Sequence, residues 1–239
     1  MNNMQRNKSY LPNFKLTDFD IETLVQPIIC PKSQEIQYYE TLSKICTFDK
    51  NNINNDVFFS IVDNSFIQTL ALQQIQFSLA QYPHQRHSFN IKLSCLADEH
   101  FVQKLLSFNG AKFALEISEL DCYTESKEIH HNLSQLQANN IEIWLDDYHS
   151  NNKLANMSLD TIFWDRIKID KSFLKYADLE SIQALEYFLA PFCSRGLIFE
   201  GVEDAQHHEM LKECHSLVQG YHYSRPYPLQ SEQAVSLCS

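Results

Sequence analysis

Seven polar residues, each at or just past the end of a short apolar run, constrain the fold of this chain more than any other feature. The runs are Ile36-Gln-Tyr-Tyr-Glu40, Phe89-Asn-Ile-Lys92-Leu-Ser, Phe113-Ala-Leu-Glu116-Ile, Ile141-Glu-Ile-Trp-Leu-Asp146-Asp147, Arg166-Ile-Lys168-Ile-Asp170, Leu197-Ile-Phe-Glu200 and Leu217-Val-Gln219-Gly. Successive polar members are 19 to 52 residues apart. Strands buried on both faces read as continuous apolar runs, and in a β/α barrel the chemistry collects where strands end and loops begin.

The intervening stretches support that reading. Helices are predicted over Asp56–Ala80, Asp98–Phe108, Glu125–Gln137, Leu179–Phe192 and Ala205–Lys212. In the first of these, Phe58, Phe59, Val62, Phe66, Leu70 and Leu72 form the three-and-four stripe of a helix covering a sheet. Strands alternating with helices of this length imply parallel pairing with right-handed crossovers. The stretch Tyr148–Asp160 is polar and rich in Asn and Ser, and is predicted as a loop at the active face. A chain of 239 residues is near the size of one such barrel. Residues 1–16 are expected as a polar N-terminal tail and 17–239 as a single barrel domain.

Charge and cysteine usage exclude several classes. A net charge of −11, scattered along the chain, argues against a partner surface for DNA or RNA and against an anionic membrane surface. With no signal-like or bilayer-length apolar run, a cytoplasmic protein is expected. The seven cysteines show no Cys-x-x-Cys spacing, so reduced thiols are expected. His207, His208, Cys214 and His215 contain metal-ligating types, but read more simply as a polar helix leading into the Leu217 strand. Glycine is scarce, at four residues, yet Gly201 and Gly220 directly follow Glu200 and Gln219. A sharp turn or a close backbone approach is expected at both.

Glu40, Glu116, Asp146 and Asp147 would converge on one mouth, a costly arrangement unless cations neutralise it. Oxygen-only ligands favour Mg²⁺ or Mn²⁺, and a pair of such ions suits in-line chemistry on a phosphodiester. Lys168 beside them is placed to orient water or hold a phosphate.

These residues resemble a known family, the EAL-domain phosphodiesterases of bacterial cyclic di-GMP signalling. The matching segments are Val25-Gln26-Pro27-Ile28, Tyr39-Glu40-Thr41-Leu42, Leu115-Glu116-Ile-Ser-Glu119, Leu145-Asp146-Asp147-Tyr148, Lys168-Ile-Asp170-Lys-Ser-Phe173, Glu200-Gly-Val-Glu203 and Gln219-Gly-Tyr221 with Ser224-Arg225-Pro226. The resemblance implies an α/β fold, a modified TIM-like (β/α)8 barrel whose first strand is antiparallel, and two-metal hydrolysis of cyclic di-GMP to the linear dinucleotide. It implies Glu40, Glu116, Asp146 and Asp147 as metal ligands and Lys168, Glu200 and Gln219 as catalytic residues. Gln26, Leu42, Lys44 and Arg225 match positions near the substrate, and Glu119 a carboxylate that steadies the loop after Asp147.

Four departures stand out. Glu-Ala-Leu reads Glu40-Thr41-Leu42, and the arginine four residues past that glutamate is Lys44, which keeps charge but loses the bidentate fork. The family's Asn-Leu-Ser reads Lys92-Leu93-Ser94, putting an ammonium where the resemblance implies a neutral oxygen ligand. Lys92 is expected to pair with Glu40 or Glu116 in place of a cation, or alternatively Asn90, on the same strand face, supplies the oxygen. Both glycines of the loop after Asp147 are replaced, in Tyr148-His149-Ser150-Asn151-Asn152, where Asn151 and Asn152 tolerate left-handed backbone. Two functions follow. One is a regulatory module with impaired or absent turnover, acting by binding cyclic di-GMP or a regulatory protein partner, with a homodimer among the implied assemblies. The other is an active metal-dependent phosphodiesterase. Lys92 and the altered loop favour the first.

Overall fold

The computed structural model describes residues 19–46, 53–108 and 110–229. The expected tail at 1–16 lies outside them. Among the described residues, nine strands form one sheet in the order β2-β3-β4-β5-β6-β7-β8-β1-β9, and an additional β1–β2 pairing closes it into an eight-stranded barrel with β9 outside. The strands are β1 Asp20–Ile29, β2 Ile36–Cys46, β3 His87–Ile91, β4 Phe113–Ser118, β5 Glu142–Tyr148, β6 Arg166–Ile169, β7 Leu197–Phe199, β8 Leu217–Val218 and β9 Tyr227–Pro228. All pairs from β2 through β8 are parallel, whereas β1 runs antiparallel to β2, β8 and β9. The antiparallel first strand and the barrel are therefore both present. The short ninth strand is an addition.

Strand alternation divides the core in two. Ile28, Tyr38, Ala114, Trp144, Ile198 and Leu217 fill the barrel lumen as one cluster. Their strand neighbours, such as Phe89, Phe113, Leu115, Ile117, Ile143, Leu145, Ile167 and Phe199, pack outward in a second cluster beneath the helices. At the N-terminal end of the strands, Glu142 accepts from the Tyr38 hydroxyl at 2.8 Å and the Trp144 indole at 3.0 Å, with Arg195 Nε at 3.5 Å. That end is plugged, and access to the lumen is left to the opposite end.

Seven α-helices, each with an Asn, Asp or Ser side chain accepting from its first turn, are present among the described residues: α1 Asn55–Ile61, α2 Asn64–Gln81, α3 Glu99–Leu106, α4 Lys127–Ala138, α5 Lys153–Leu159, α6 Leu179–Leu189 and α7 Ala205–Leu211. Two expectations are corrected. The helix predicted over Asp56–Ala80 is split at Val62-Asp63, because the Asp63 carboxylate accepts from Phe66 N–H at 2.9 Å and starts a new helix there. The loop predicted over Tyr148–Asp160 contains α5, which Asn152 caps through Leu154 and Ala155 N–H. No helix of the described residues is long and apolar enough to cross a membrane.

Both glycines serve close backbone approach. Gly201 has φ +71°, and a Cβ there would sit 2.3 Å from Lys171 Cβ. A Cβ on Gly220 would lie 2.2 Å from the Val202 carbonyl oxygen and 2.3 Å from its nitrogen. Val202 N–H donates to Gln219 O, and His222 N–H to Val202 O, so the loops after β7 and β8 are stitched together at this point. Gly220→Ala is expected to cost about 1–3 kcal/mol through overpacking against rigid main chain. A melting temperature equal to wild type would contradict this.

Candidate functional site at the barrel mouth

The open end of the barrel is a ring of acids around one ammonium. Lys168, on β6 and 1% exposed, places Nζ 2.7 Å from Glu116 Oε2, 2.7 Å from Asp146 Oδ1, 2.8 Å from Glu200 Oε1 and 3.3 Å from Glu40 Oε1. These groups come from β2, β4, β5 and the residue just past β7, one pleat above the lumen cluster. Not all of them end strands as their apolar runs suggested: β2 continues to Cys46, and Glu116, Asp146 and Lys168 lie within β4, β5 and β6.

Gln219 joins the ring from the end of β8. Its Nε2 donates to Glu40 Oε2 at 2.6 Å and to Gln26 Oε1 at 3.2 Å. Gln26, in register with Glu40 across the antiparallel pair, donates in turn to Ser224 O at 3.0 Å. The order acid, amide, amide, loop carbonyl ties the loop after β8 to the ring.

Asp146 and Asp147 are consecutive, so a regular strand would point them to opposite faces. The β5–β6 register shifts between Leu145 and Tyr148, and Asp147 has φ +55°. This bulge brings both carboxylates to the mouth, where Asp146, Asp147 and Glu200 each offer an oxygen within 4.8 Å of one another. The left-handed residue expected at Asn151 or Asn152 is thus Asp147 itself, and Asn152 is extended at φ −81°. A left-handed aspartate is tolerated but strained, as at many functional sites.

Electrostatics follow from the count. Five carboxylates, Glu40, Glu116, Asp146, Asp147 and Glu200, surround one ammonium, a formal excess of four negative charges (5 − 1). Burial alone would lower the pKa of Lys168, but Asp146, Glu116, Glu200 and Glu40 hold it well above the usual lysine value. Burial pushes Glu116 and Glu200 well above the ordinary carboxylate range, against the opposing pull of Lys168. Loss of hydration, followed by the Asp146 charge, raises Asp147 to about 6.

The residues fit hard divalent ions. Glu116 Oε1, Gln219 Oε1 and Ser88 Oγ are buried oxygens with no hydrogen-bond partner. All are of the type that Mg²⁺ or Mn²⁺ accepts, and unpartnered buried oxygens at this density call for a cation or water. Among the described residues, Asp146, Asp147 and Glu200 are the one group with metal-ligand spacing, and Glu40 and Glu116 stand around Lys168 beside it. The His207, His208, Cys214 and His215 alternative is dispersed: His208 Nδ1 meets the Tyr223 hydroxyl at 2.7 Å, and Cys214 Sγ donates to Met210 O at 3.6 Å.

The remaining candidates sit further out. Lys92 does not pair with Glu40 or Glu116. Its Nζ donates to Val62 O at 2.9 Å, at the C-terminal end of α1, where unpaired carbonyls and the helix dipole attract a cation. Lys44 and Leu42 follow Glu40 along β2, and Lys44 Nζ forms an exposed pair with Glu22 at 3.0 Å. Arg225 is exposed, its guanidinium 4.3 Å from the Tyr221 ring centre. The Glu119 carboxylate accepts from the Ser118 hydroxyl at 3.0 Å, and it is the main chain of Glu119 that meets its neighbours, donating to Asp146 O and accepting from Asn152 Nδ2 at 3.4 Å. Ser88, on the lumen face between outward-facing His87 and Phe89, was not singled out by its sequence. Two cavities of about 630 and 400 Å³ lie outside the barrel, against α2 and α6, and neither is lined by the acid ring.

A modified β/α barrel with an antiparallel first strand, and a ring of acids around a lysine at its mouth, define the class of protein. The EAL domain family matches residues 15–226, and the chain belongs to that family. It is 25% identical over 241 residues to the probable cyclic di-GMP phosphodiesterase PdeB of Escherichia coli (strain K12), covering 91% of this chain and 45% of PdeB. Across its curated relatives the chain spans between 37% and 64% of their length. The crystal structure of an EAL domain protein from Listeria monocytogenes EGD-e superposes with a TM-score of 0.73 at 23% identity, covering 91% of this chain and 93% of that one. The FimX EAL domain from Pseudomonas aeruginosa, bound to c-di-GMP, gives 0.71 at 18% identity over 86% of this chain and 90% of that one.

Proposed function

We propose that this chain is a cyclic di-GMP-binding module of bacterial signalling, with a divalent-ion site at its mouth and impaired turnover, which acts through a protein partner. The observation that carries the reading is Lys92. Its ammonium is engaged by Val62, so β3 ends without the neutral oxygen implied at that position, while the acids remain assembled around Lys168.

Mg²⁺ or Mn²⁺ held by Glu40, Glu116, Asp146, Asp147 and Glu200 would supply Lewis-acid charge to a phosphodiester and lower the pKa of water. The chain's own groups do the rest. Lys168 keeps its proton and fixes four carboxylates toward one point. Gln219 orients Glu40, and Gln26 carries that order to the loop that bears Arg225. Lys44 exchanges its solvent-exposed partner Glu22 for a phosphate at little cost. The Arg225–Tyr221 stack offers a flat cationic face to a purine. A partner surface is available on α6, where Tyr187 is 86% and Phe188 60% exposed. Self-association into a homodimer is a further use for such a face.

A second reading, an active phosphodiesterase, is favoured by the full acid and lysine set and by the name of the relative PdeB. Calorimetric titration with cyclic di-GMP tests the first. Binding is expected with Mn²⁺, and is expected to vanish in EDTA and in Asp146→Asn. Absence of binding in Mn²⁺ would sink it.

The ring also predicts a pH dependence. Asp147, raised to about 6, and Glu116 and Glu200, which burial also raises, bind protons in the metal-free fold that must leave before an ion binds. The rise in melting temperature caused by Mn²⁺ is therefore expected to shrink as pH falls from 7 to 5. His87, whose burial lowers it to about 4, is common to both states and cancels. A pH-independent Mn²⁺ effect would contradict the assignment.

A further inference from the structure

The β3 side of the mouth has lost an oxygen at position 92, yet it is not bare. Ser88 and Asn90 lie on β3, ahead of Lys92 just past its end, and alternation turns both toward the lumen while Phe89 between them packs beneath the helices. Ser88 is in register with Glu40 on β2, and Asn90 with Glu116 on β4. The strand therefore sets these two side chains directly beside two acids of the ring. Ser88 is fully buried and its Oγ has no hydrogen-bond partner; Glu116 is equally buried and its Oε1 is likewise unpartnered. Two buried, unpartnered oxygens on adjacent strands mark one corner of the mouth as built for something that accepts oxygen lone pairs. Asn90, exposed directly above Ser88, opens that corner to solvent.

We propose that the side-chain oxygens of Asn90 and Ser88, with the free oxygen of Glu116, form the β3 corner of the divalent-ion site in this chain, in place of the oxygen absent at position 92. The inference rests on the reading of the acid ring as an ion site. The chemistry agrees: an amide carbonyl and a hydroxyl are neutral oxygen ligands of the kind Mg²⁺ and Mn²⁺ take alongside carboxylates. The ammonium that would repel an ion is held away by Val62. The placement also accounts for impaired turnover with retained binding. Asn90 lies two residues before position 92, about 6.6 Å along the strand, so an ion drawn to it is displaced relative to a phosphodiester. Displacements of about 1 Å already cost on the order of 100-fold in rate.

The test is Mn²⁺ binding to the full chain, followed by the loss of the free-ion electron paramagnetic resonance signal, so that no turnover is needed. Asn90→Ala is expected to weaken Mn²⁺ binding by roughly 10-fold or more, with its melting temperature in EDTA unchanged because the side chain is exposed. Asn90→Asp, which keeps an oxygen in place, is expected to bind at least as tightly as wild type. Wild-type affinity in Asn90→Ala, or weaker binding by Asn90→Asp than by Asn90→Ala, overturns the inference and leaves the ion site standing. No Mn²⁺ binding by the wild-type chain overturns both.

Discussion

Lys168→Met is expected to cost the metal-free protein about 3–5 kcal/mol at neutral pH, the penalty for leaving buried charges unpaired. In a domain of this size that is a fall in melting temperature on the order of 10 °C. The reason is the count at the mouth: Glu40, Glu116, Asp146 and Glu200 all lie within 3.3 Å of a single Nζ. With that ammonium gone, the acids must take protons or cations from solvent. Glu116 and Glu200 are already raised above the ordinary carboxylate range by burial. A carboxylate whose folded pKa is raised gives stability that is complete below its unfolded pKa and lost as pH rises through the folded one. The deficit of the variant relative to wild type should therefore narrow from pH 8 to pH 5. Mn²⁺ should narrow it as well. Thermal unfolding in EDTA and in Mn²⁺ across this range measures both; a deficit unmoved by acid and by ion would show that Lys168 acts through packing alone.

Lys92→Asn is expected to move two properties in opposite directions. The Lys92–Val62 hydrogen bond is lost, lowering stability by about 1–2 kcal/mol. At the same time an oxygen appears at the position the family resemblance implies, raising Mn²⁺ affinity roughly 10-fold and hydrolysis of cyclic di-GMP on the order of 100-fold. Calorimetry, ion titration and product analysis on one preparation separate these effects. A variant that loses stability and gains neither affinity nor hydrolysis would remove position 92 as the cause of the proposed loss of turnover.

Much of this architecture was legible from residue order. Buried parallel strands announce themselves as apolar runs, and the N-caps Asp98, Asp178 and Asp204 stand where helices were predicted to begin. Glu40, Glu116, Asp146, Lys168 and Glu200 were legible together because polar residues on apolar strands have few places to go. What stayed hidden depends on single contacts across long separations. Asp63 reads as an ordinary helical residue until its carboxylate is seen on Phe66 N–H. The partner of Lys92 is a backbone carbonyl 30 residues away, which no side-chain pattern reports. Strict alternation argues that Asp146 and Asp147 face opposite sides, and only the bulge with a left-handed Asp147 reconciles them. Ser88 carried no signal of its own, since a serine between His87 and Phe89 acquires meaning only from its register with Glu40.

The central claim is that this mouth keeps its ions and its ligand but not efficient turnover. Its most direct test is to incubate the wild-type chain with cyclic di-GMP and Mn²⁺ and follow the linear dinucleotide by chromatography over hours, beside Glu40→Ala and Lys92→Asn. The account predicts nearly intact cyclic dinucleotide with wild type and Glu40→Ala, and linear product with Lys92→Asn. Wild-type turnover at about 1 s⁻¹ or faster, ordinary for an enzyme, would contradict it and make the chain a phosphodiesterase in its own right.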